Sequence, residues 1–269
     1  MTASALAGLS RQRADYARGW SATSSFFAAE GHYAWMAEQL AGSRRVLEIG
    51  CGVGFSSAAL CAAGHELVAL DENPACVRAT CARLREADVP ARPLLRGRPV
   101  AGRDGRYAIR YLPMPTDAPP AGLVVEGDAM NDGTLLAWLA NGPCFDGVAC
   151  WLVGTHHARG QNLCLEGLGI TSAAGLRLAL HRQVYALAGR VLRPGGRLSI
   201  IDRMQKPATA ALEAEIAASH ARLAHGTGMR PQAPAYRCYR EPETGTRMTA
   251  TGGFDSTRLA LVSVTSLKD

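Results

Sequence analysis

The sequence predicts an α/β protein whose sheet is mostly parallel, and three observations carry that prediction. Strand-like and helix-like apolar runs alternate from Arg45 to Asp202, a glycine-rich turn follows the first strand-like run, and an acidic residue closes the second. The first strand is Arg45 to Ile49, followed by the turn and an apolar helix from Phe55 to Ala63. Glu66 to Asp71 is the second strand. Pro74 opens a helix to Ala87, at the position where a missing N–H costs nothing. Leu123 to Asp128 and Asp146 to Leu152 read as the third and fourth strands. A long helix, Ala173 to Leu192, stops at Arg193-Pro194-Gly195-Gly196, and Arg197 to Asp202 is the fifth strand. In the tail, Pro207 to Leu223 reads as a helix and Leu259 to Leu267 as a closing strand, with Tyr236 to Thr251 supplying a strand between them.

Two stretches break the alternation. Val89 to Ala121 is too long for an ordinary connection, and Arg106 to Tyr111 inside it alternates as a β-hairpin arm turning at Gly102 to Gly105. Residues 1–40 precede the first strand and hold Tyr16, Trp20, Phe26, Phe27, Tyr33 and Trp35, which suggests a helical cap over a pocket or a helix packed on the domain. The 269 residues suit one domain, 1–269, with 1–40 as cap and 89–121 as insertion.

Composition narrows the classes further. Hydrophobic residues make up 48% and charged residues 19%, which is ordinary for a globular chain, and no apolar run approaches membrane-spanning length. The start of the chain lacks the positive charge of a secretory signal, so a cytoplasmic protein without a membrane partner is expected. Eight scattered cysteines form no C-x-x-C pair, so buried thiols are expected rather than a metal site or disulfides. The net charge of +6 is almost all arginine and makes nucleic acid only a weak candidate partner. The insertion arginines Arg92, Arg96, Arg98, Arg103, Arg106 and Arg110 suit an anionic acceptor or RNA, but read more simply as the solvated face of a hairpin.

The most informative stretch is Glu48-Ile49-Gly50-Cys51-Gly52-Val53-Gly54-Phe55. Alternating glycines between strand and helix let the chain turn tightly and leave room for a ligand against the backbone. Asp71, at the end of the next strand, can accept both hydroxyls of a ribose. A dinucleotide fingerprint beginning at Gly50 needs glycine or alanine where Phe55 stands, and one beginning at Gly52 needs glycine where Ser57 stands. A pyrophosphate ligand is therefore disfavoured.

These residues resemble the first motif of the class I S-adenosylmethionine-dependent methyltransferases, in the group acting on small molecules. Leu70-Asp71-Glu72-Asn73-Pro74 is similar to the second motif, which implies Asp71 on the ribose and Glu72 or Asn73 beside the adenine. Glu126-Gly127-Asp128-Ala129-Met130 is similar to the third, which implies Asp128 on the adenine amino group with Gly127, Ala129 and Met130 nearby. Phe145-Asp146-Gly147-Val148 and Leu192 to Leu198 match the fourth motif and the turn into the fifth strand. The resemblance spans Arg44 to Asp202. It implies a Rossmann-like seven-stranded sheet with an antiparallel last strand, S-adenosylmethionine as cofactor and S-adenosylhomocysteine as product.

Ligands of such sheets sit beyond the carboxyl ends of the strands, so the segment Cys150-Trp151-Leu152-Val153-Gly154-Thr155-His156-His157 is the expected site of acceptor and methionine contacts. Trp151 suits packing on the methionine part or the acceptor, and His156 or His157 suits a general base. Tyr16 and Trp20 share a helix face in the cap and are expected to close over the cofactor. The expected activity is methyl transfer to N or O of a small molecule. RNA or protein methylation is the second reading, and a non-catalytic S-adenosylmethionine-binding regulator the third. The insertion leaves lid or homodimer contact open.

Overall fold

The structure, a computed structural model, describes residues 2–116, 121–246 and 255–269. Two N-terminal helices, α1 (Thr2–Ala29) and α2 (His32–Glu38), lead into β1 (Arg45–Ile49). The chain then alternates through α3 (Phe55–Ala62), β2 (Glu66–Asp71) and α4 (Pro74–Glu86). Three short strands follow, β3 (Arg92–Leu94), β4 (Gly97–Ala101) and β5 (Tyr107–Tyr111). Next come β6 (Leu123–Glu126), α5 (Gly133–Asn141), β7 (Phe145–Trp151), α6 (Ala173–Val191) and β8 (Leu192–Gln205). The tail holds α7 (Ala210–Ala224), β9 (Met229–Pro231), β10 (Ala235–Cys238) and β11 (Leu259–Lys268).

One sheet orders its strands β10-β11-β8-β7-β1-β2-β6-β3, with β9 also paired to β11. β11 runs antiparallel to β8, β9 and β10, and the other pairs are parallel. The fold is therefore Rossmann-like and α/β, with an antiparallel last strand. Seven strands were expected and nine are present, because β3 adds an edge outside β6 and β9 caps the end of β11. The hairpin β4–β5 stands apart as its own antiparallel pair, turning at 102–106. The strand expected within Tyr236–Thr251 is the shorter β10, and residues 247–251 lie outside those described.

Strands β1, β2, β6 and β7 are buried along nearly their whole length, as a sheet covered on both faces requires. One apolar cluster joins α1 to α4 to one face and the other joins α5 and α6 to the opposite face. The helix α5 was not expected from the sequence; Asp132 starts it by accepting the Leu135 N–H at 3.1 Å. Helix α7 begins at Ala210 rather than Pro207, because Thr209 caps it. Arg96 departs furthest from a solvated hairpin face. It is buried, with Nη1 2.6 Å from Asp132 and with Nε and Nη2 donating to the Leu112 carbonyl, so it ties the hairpin to the start of α5. Arg92, Arg98, Arg103 and Arg110 are exposed, and Arg106 pairs with Glu166.

Strand order reverses around β1: the chain steps outward through β2 on one side and through β7 and β8 on the other. The carboxyl ends of β1, β2, β6, β7 and β8 therefore open onto one crevice.

Candidate functional site

A cavity of about 980 Å³ fills that crevice, with Tyr16 and Trp20 of α1 over it. Its floor is the turn after β1. Gly50, Gly52 and Gly54 adopt φ of 80°, 55° and 86°, which only glycine takes without strain. A Cβ at these positions would stand 2.9 Å from Val153, 2.8 Å from the Trp20 indole nitrogen and 2.7 Å from the Thr80 backbone. Neighbouring groups thus press on the turn from three sides. Gly50 and Cys51 donate to the Leu70 carbonyl, Gly54 to Cys51, and Gly52 to Asp71. With these four N–H groups engaged inside the protein, they are not offered to phosphate oxygens.

Asp71 accepts from the Gly52 N–H and from the Asn73 N–H, each at 2.9 Å, while its carboxylate lines the cavity. Burial pushes its pKa up to about 7, against the two backbone hydrogen bonds that lower it. Asn73 is buried, caps α4 and donates to the Arg13 carbonyl, which fastens α1 to the site.

At the far end of the cavity the polar groups are closely paired. Glu72 lies 2.6 Å from Arg13, 2.7 Å from His156 Nε2 and 3.7 Å from Arg159. Arg159 also donates to Asp128 at 2.5 Å. Burial works to raise Glu72, but His156, Arg13 and Arg159 outweigh it and hold its carboxyl far below the usual carboxylate range. Asp128 keeps its other oxygen on the Met130 N–H at 2.9 Å. Gly127, Ala129 and Met130 line the cavity beside it.

Several residues singled out in the sequence lie elsewhere. Glu48 is buried behind the turn, accepting from Ser57 at 2.5 Å, and burial pushes it up to about 7. Cys51 and Cys150 are buried free thiols off the cavity lining. Trp151 packs in the core with its indole N–H on Ser199 at 2.9 Å. His157 is exposed and off the lining, and His156 is engaged with Glu72. His156 lines the cavity beside Glu72.

The second half of the cavity extends under α6 and α7, walled by Leu176, Leu180, Ile216 and Leu223. His181 of α6, Asp202 near the end of β8 and His220 of α7 converge there. His181 Nε2 is 3.7 Å from Asp202, and the two imidazole rings are 6.3 Å apart. His220 Nδ1 lies 2.9 Å from the Tyr185 hydroxyl, itself 3.1 Å from Ser266. Burial lowers His181, and it pushes His220 down to about 4 with help from His181. The sequence reading passed over all three, because lone histidines in helices carry no local motif. Between the halves, Leu152 takes φ 53°, a strained conformation for leucine, and lines the cavity where the chain leaves β7.

Among the described residues no group of His, Cys, Asp and Glu is arranged to hold a metal ion. No helix among them is long and apolar enough to cross a membrane.

No protein-family model and no curated protein matches the chain. Solved structures that it resembles include the N-methyltransferase NodS from Bradyrhizobium japonicum WM9 in complex with S-adenosyl-L-homocysteine, at 12% identity and TM-score 0.47, covering 89% of this chain and 87% of that one. Geranyl diphosphate methyltransferase in complex with GPP and sinefungin aligns at 11% identity and TM-score 0.47, covering 89% and 78%. The O-methyltransferase TomG from Streptomyces achromogenes aligns at 14% identity and TM-score 0.45, covering 88% and 79%. At these values the likenesses bear on neither ligand nor reaction.

Proposed function

We propose that the chain is a class I S-adenosylmethionine-dependent methyltransferase that methylates N or O of a small molecule. The observation that carries the proposal is a single cavity holding both a nucleoside-type half and a separate apolar half. In the first, the glycine turn forms the floor, Asp71 offers a carboxylate for ribose hydroxyls, and Asp128 with Ala129 and Met130 lines the part we assign to the adenine. The engaged N–H groups of the turn favour a cofactor without a pyrophosphate. When bound, S-adenosylmethionine supplies a methyl group on an already activated sulfonium. The chain's own work is to hold the acceptor in line and to keep water out, which Tyr16 and Trp20 over the turn support.

An RNA acceptor finds less support, since the exposed insertion arginines Arg92, Arg98, Arg103 and Arg110 do not line the cavity. The acceptor is sought by incubating the protein with methyl-labelled cofactor and a metabolite extract. Label in a small molecule supports the reading, and label only in RNA or protein sinks it.

A further inference from the structure

We infer that His181 takes the proton from the methyl acceptor, and that this acceptor is a phenol-type hydroxyl on an apolar body. The inference rests on the methyltransferase reading above and assigns the second half of the same cavity.

His181 is 5% exposed, and among the described residues no group lies within hydrogen-bond distance of its ring. His181 lines the cavity, and an imidazole there that no protein group engages can take a proton from a ligand. Its nearest charged neighbour is Asp202, at 3.7 Å, a distance that can shorten once the ring carries charge. The groups facing it from the packed elements are Arg177 on its own helix, Asp202 on β8 and His220 on α7. Burial and Arg177 lower His181, and Asp202 offsets them in part, so its imidazole is neutral and able to accept a proton at pH 7. His220 does not compete for that proton, being pushed down to about 4.

The surrounding chemistry selects the acceptor. Leu176, Leu180, Ile216 and Leu223 offer an apolar wall. Arg177, Lys206 and Arg258 line this side of the cavity against Asp202 and Glu215, so cations exceed anions. An amine arrives as an ammonium and is disfavoured by that balance, whereas an oxygen gaining negative charge is favoured. In the step itself, the acceptor O–H bond breaks and its proton passes to an imidazole nitrogen of His181. The oxygen electron pair forms the new O–CH₃ bond as the C–S bond breaks, and Asp202 stabilises the resulting imidazolium.

The test uses p-nitrophenol, whose anion absorbs visibly, and catechol, with methyl-labelled cofactor. The wild-type protein, without cofactor, is expected to bind p-nitrophenol and shift its ionisation to lower pH. His181→Asn is expected to remove that shift and to lower methylation about 100-fold, with S-adenosylhomocysteine affinity within twofold of wild type. The wild-type rate is expected to hold level down through the ordinary histidine range and to fall only at lower pH, because burial lowers His181; the variant's rate should instead follow the phenol's own ionisation. If His181→Asn fails to fold, His181→Gln serves in its place. An unchanged ionisation shift and rate in the variant would overturn the role of His181. Failure of the wild type to bind or methylate either phenol, with S-adenosylhomocysteine still bound, would overturn the acceptor class. Loss of S-adenosylhomocysteine binding by the wild type is the distinct result that defeats the cofactor reading, and the p-nitrophenol titration then still decides His181.

Discussion

The two halves of the cavity hold their charges in opposite ways. At one end, Arg13, Glu72, His156, Arg159 and Asp128 form a chain of contacts between 2.5 and 3.7 Å, most of it buried. At the other, Asp202 has Arg177 and His181 no nearer than 3.7 Å, and the imidazoles face a largely apolar wall. A closely paired end keeps a fixed shape and suits a ligand that is always the same. A loosely paired end leaves capacity for charge that appears only during reaction.

The largest effect expected from breaking this contrast comes from Arg159→Ala. Removing it leaves Asp128 and part of Glu72 unpaired in a buried site, and should cost about 3 kcal/mol of stability, read as a lower midpoint in denaturant. A cost near zero would mean the closely paired end is not held by its ion pairs. Next comes Gly52→Ala, which adds a Cβ at φ 55° and 2.8 Å from the Trp20 indole. It should weaken S-adenosylhomocysteine binding at least tenfold, corresponding to about 1.4 kcal/mol.

Glu48→Gln separates a supporting residue from a binding one. Burial raises the folded pKa of Glu48 to about 7, so the wild type loses stability as pH rises from the unfolded value through 7. The variant should be more stable than wild type by about 1–2 kcal/mol at pH 8 and about equal to it at pH 4, read from denaturant midpoints. Its affinity for S-adenosylhomocysteine should stay within threefold. The smallest effect is expected for His157→Ala, whose exposed side chain lies off the cavity: stability within about 0.5 kcal/mol and unchanged binding.

The closely paired end was also the half more legible in the sequence. Gly50, Gly52, Gly54, Asp71 and Asp128 sit at strand ends, where a short motif fixes both element and position. The same alternation made the strands of the parallel sheet legible, and only the short β3 and β9 were lost, since three residues carry no periodicity. Arg159 and Arg13 were not legible, because their partners come from 31 and 59 residues away. Trp151 was read as a ligand contact, yet it stands on β7, where period-two alternation turns its ring to the core and to Ser199. His181 and His220 lie on helices whose apolar pattern says only that a face is buried, not what fills the space it covers.

Calorimetric titration of S-adenosylhomocysteine into the wild type and Asp71→Ala tests the central claim most directly. The wild type should bind, more tightly at pH 8 than at pH 6, because the carboxylate of Asp71 that accepts the ribose hydroxyls forms as pH rises through about 7. Asp71→Ala should lose roughly 30-fold or more in affinity, the worth of about 2 kcal/mol for hydrogen bonds to a charged acceptor. Equal affinity in the two proteins, or no binding by the wild type at either pH, would contradict the account.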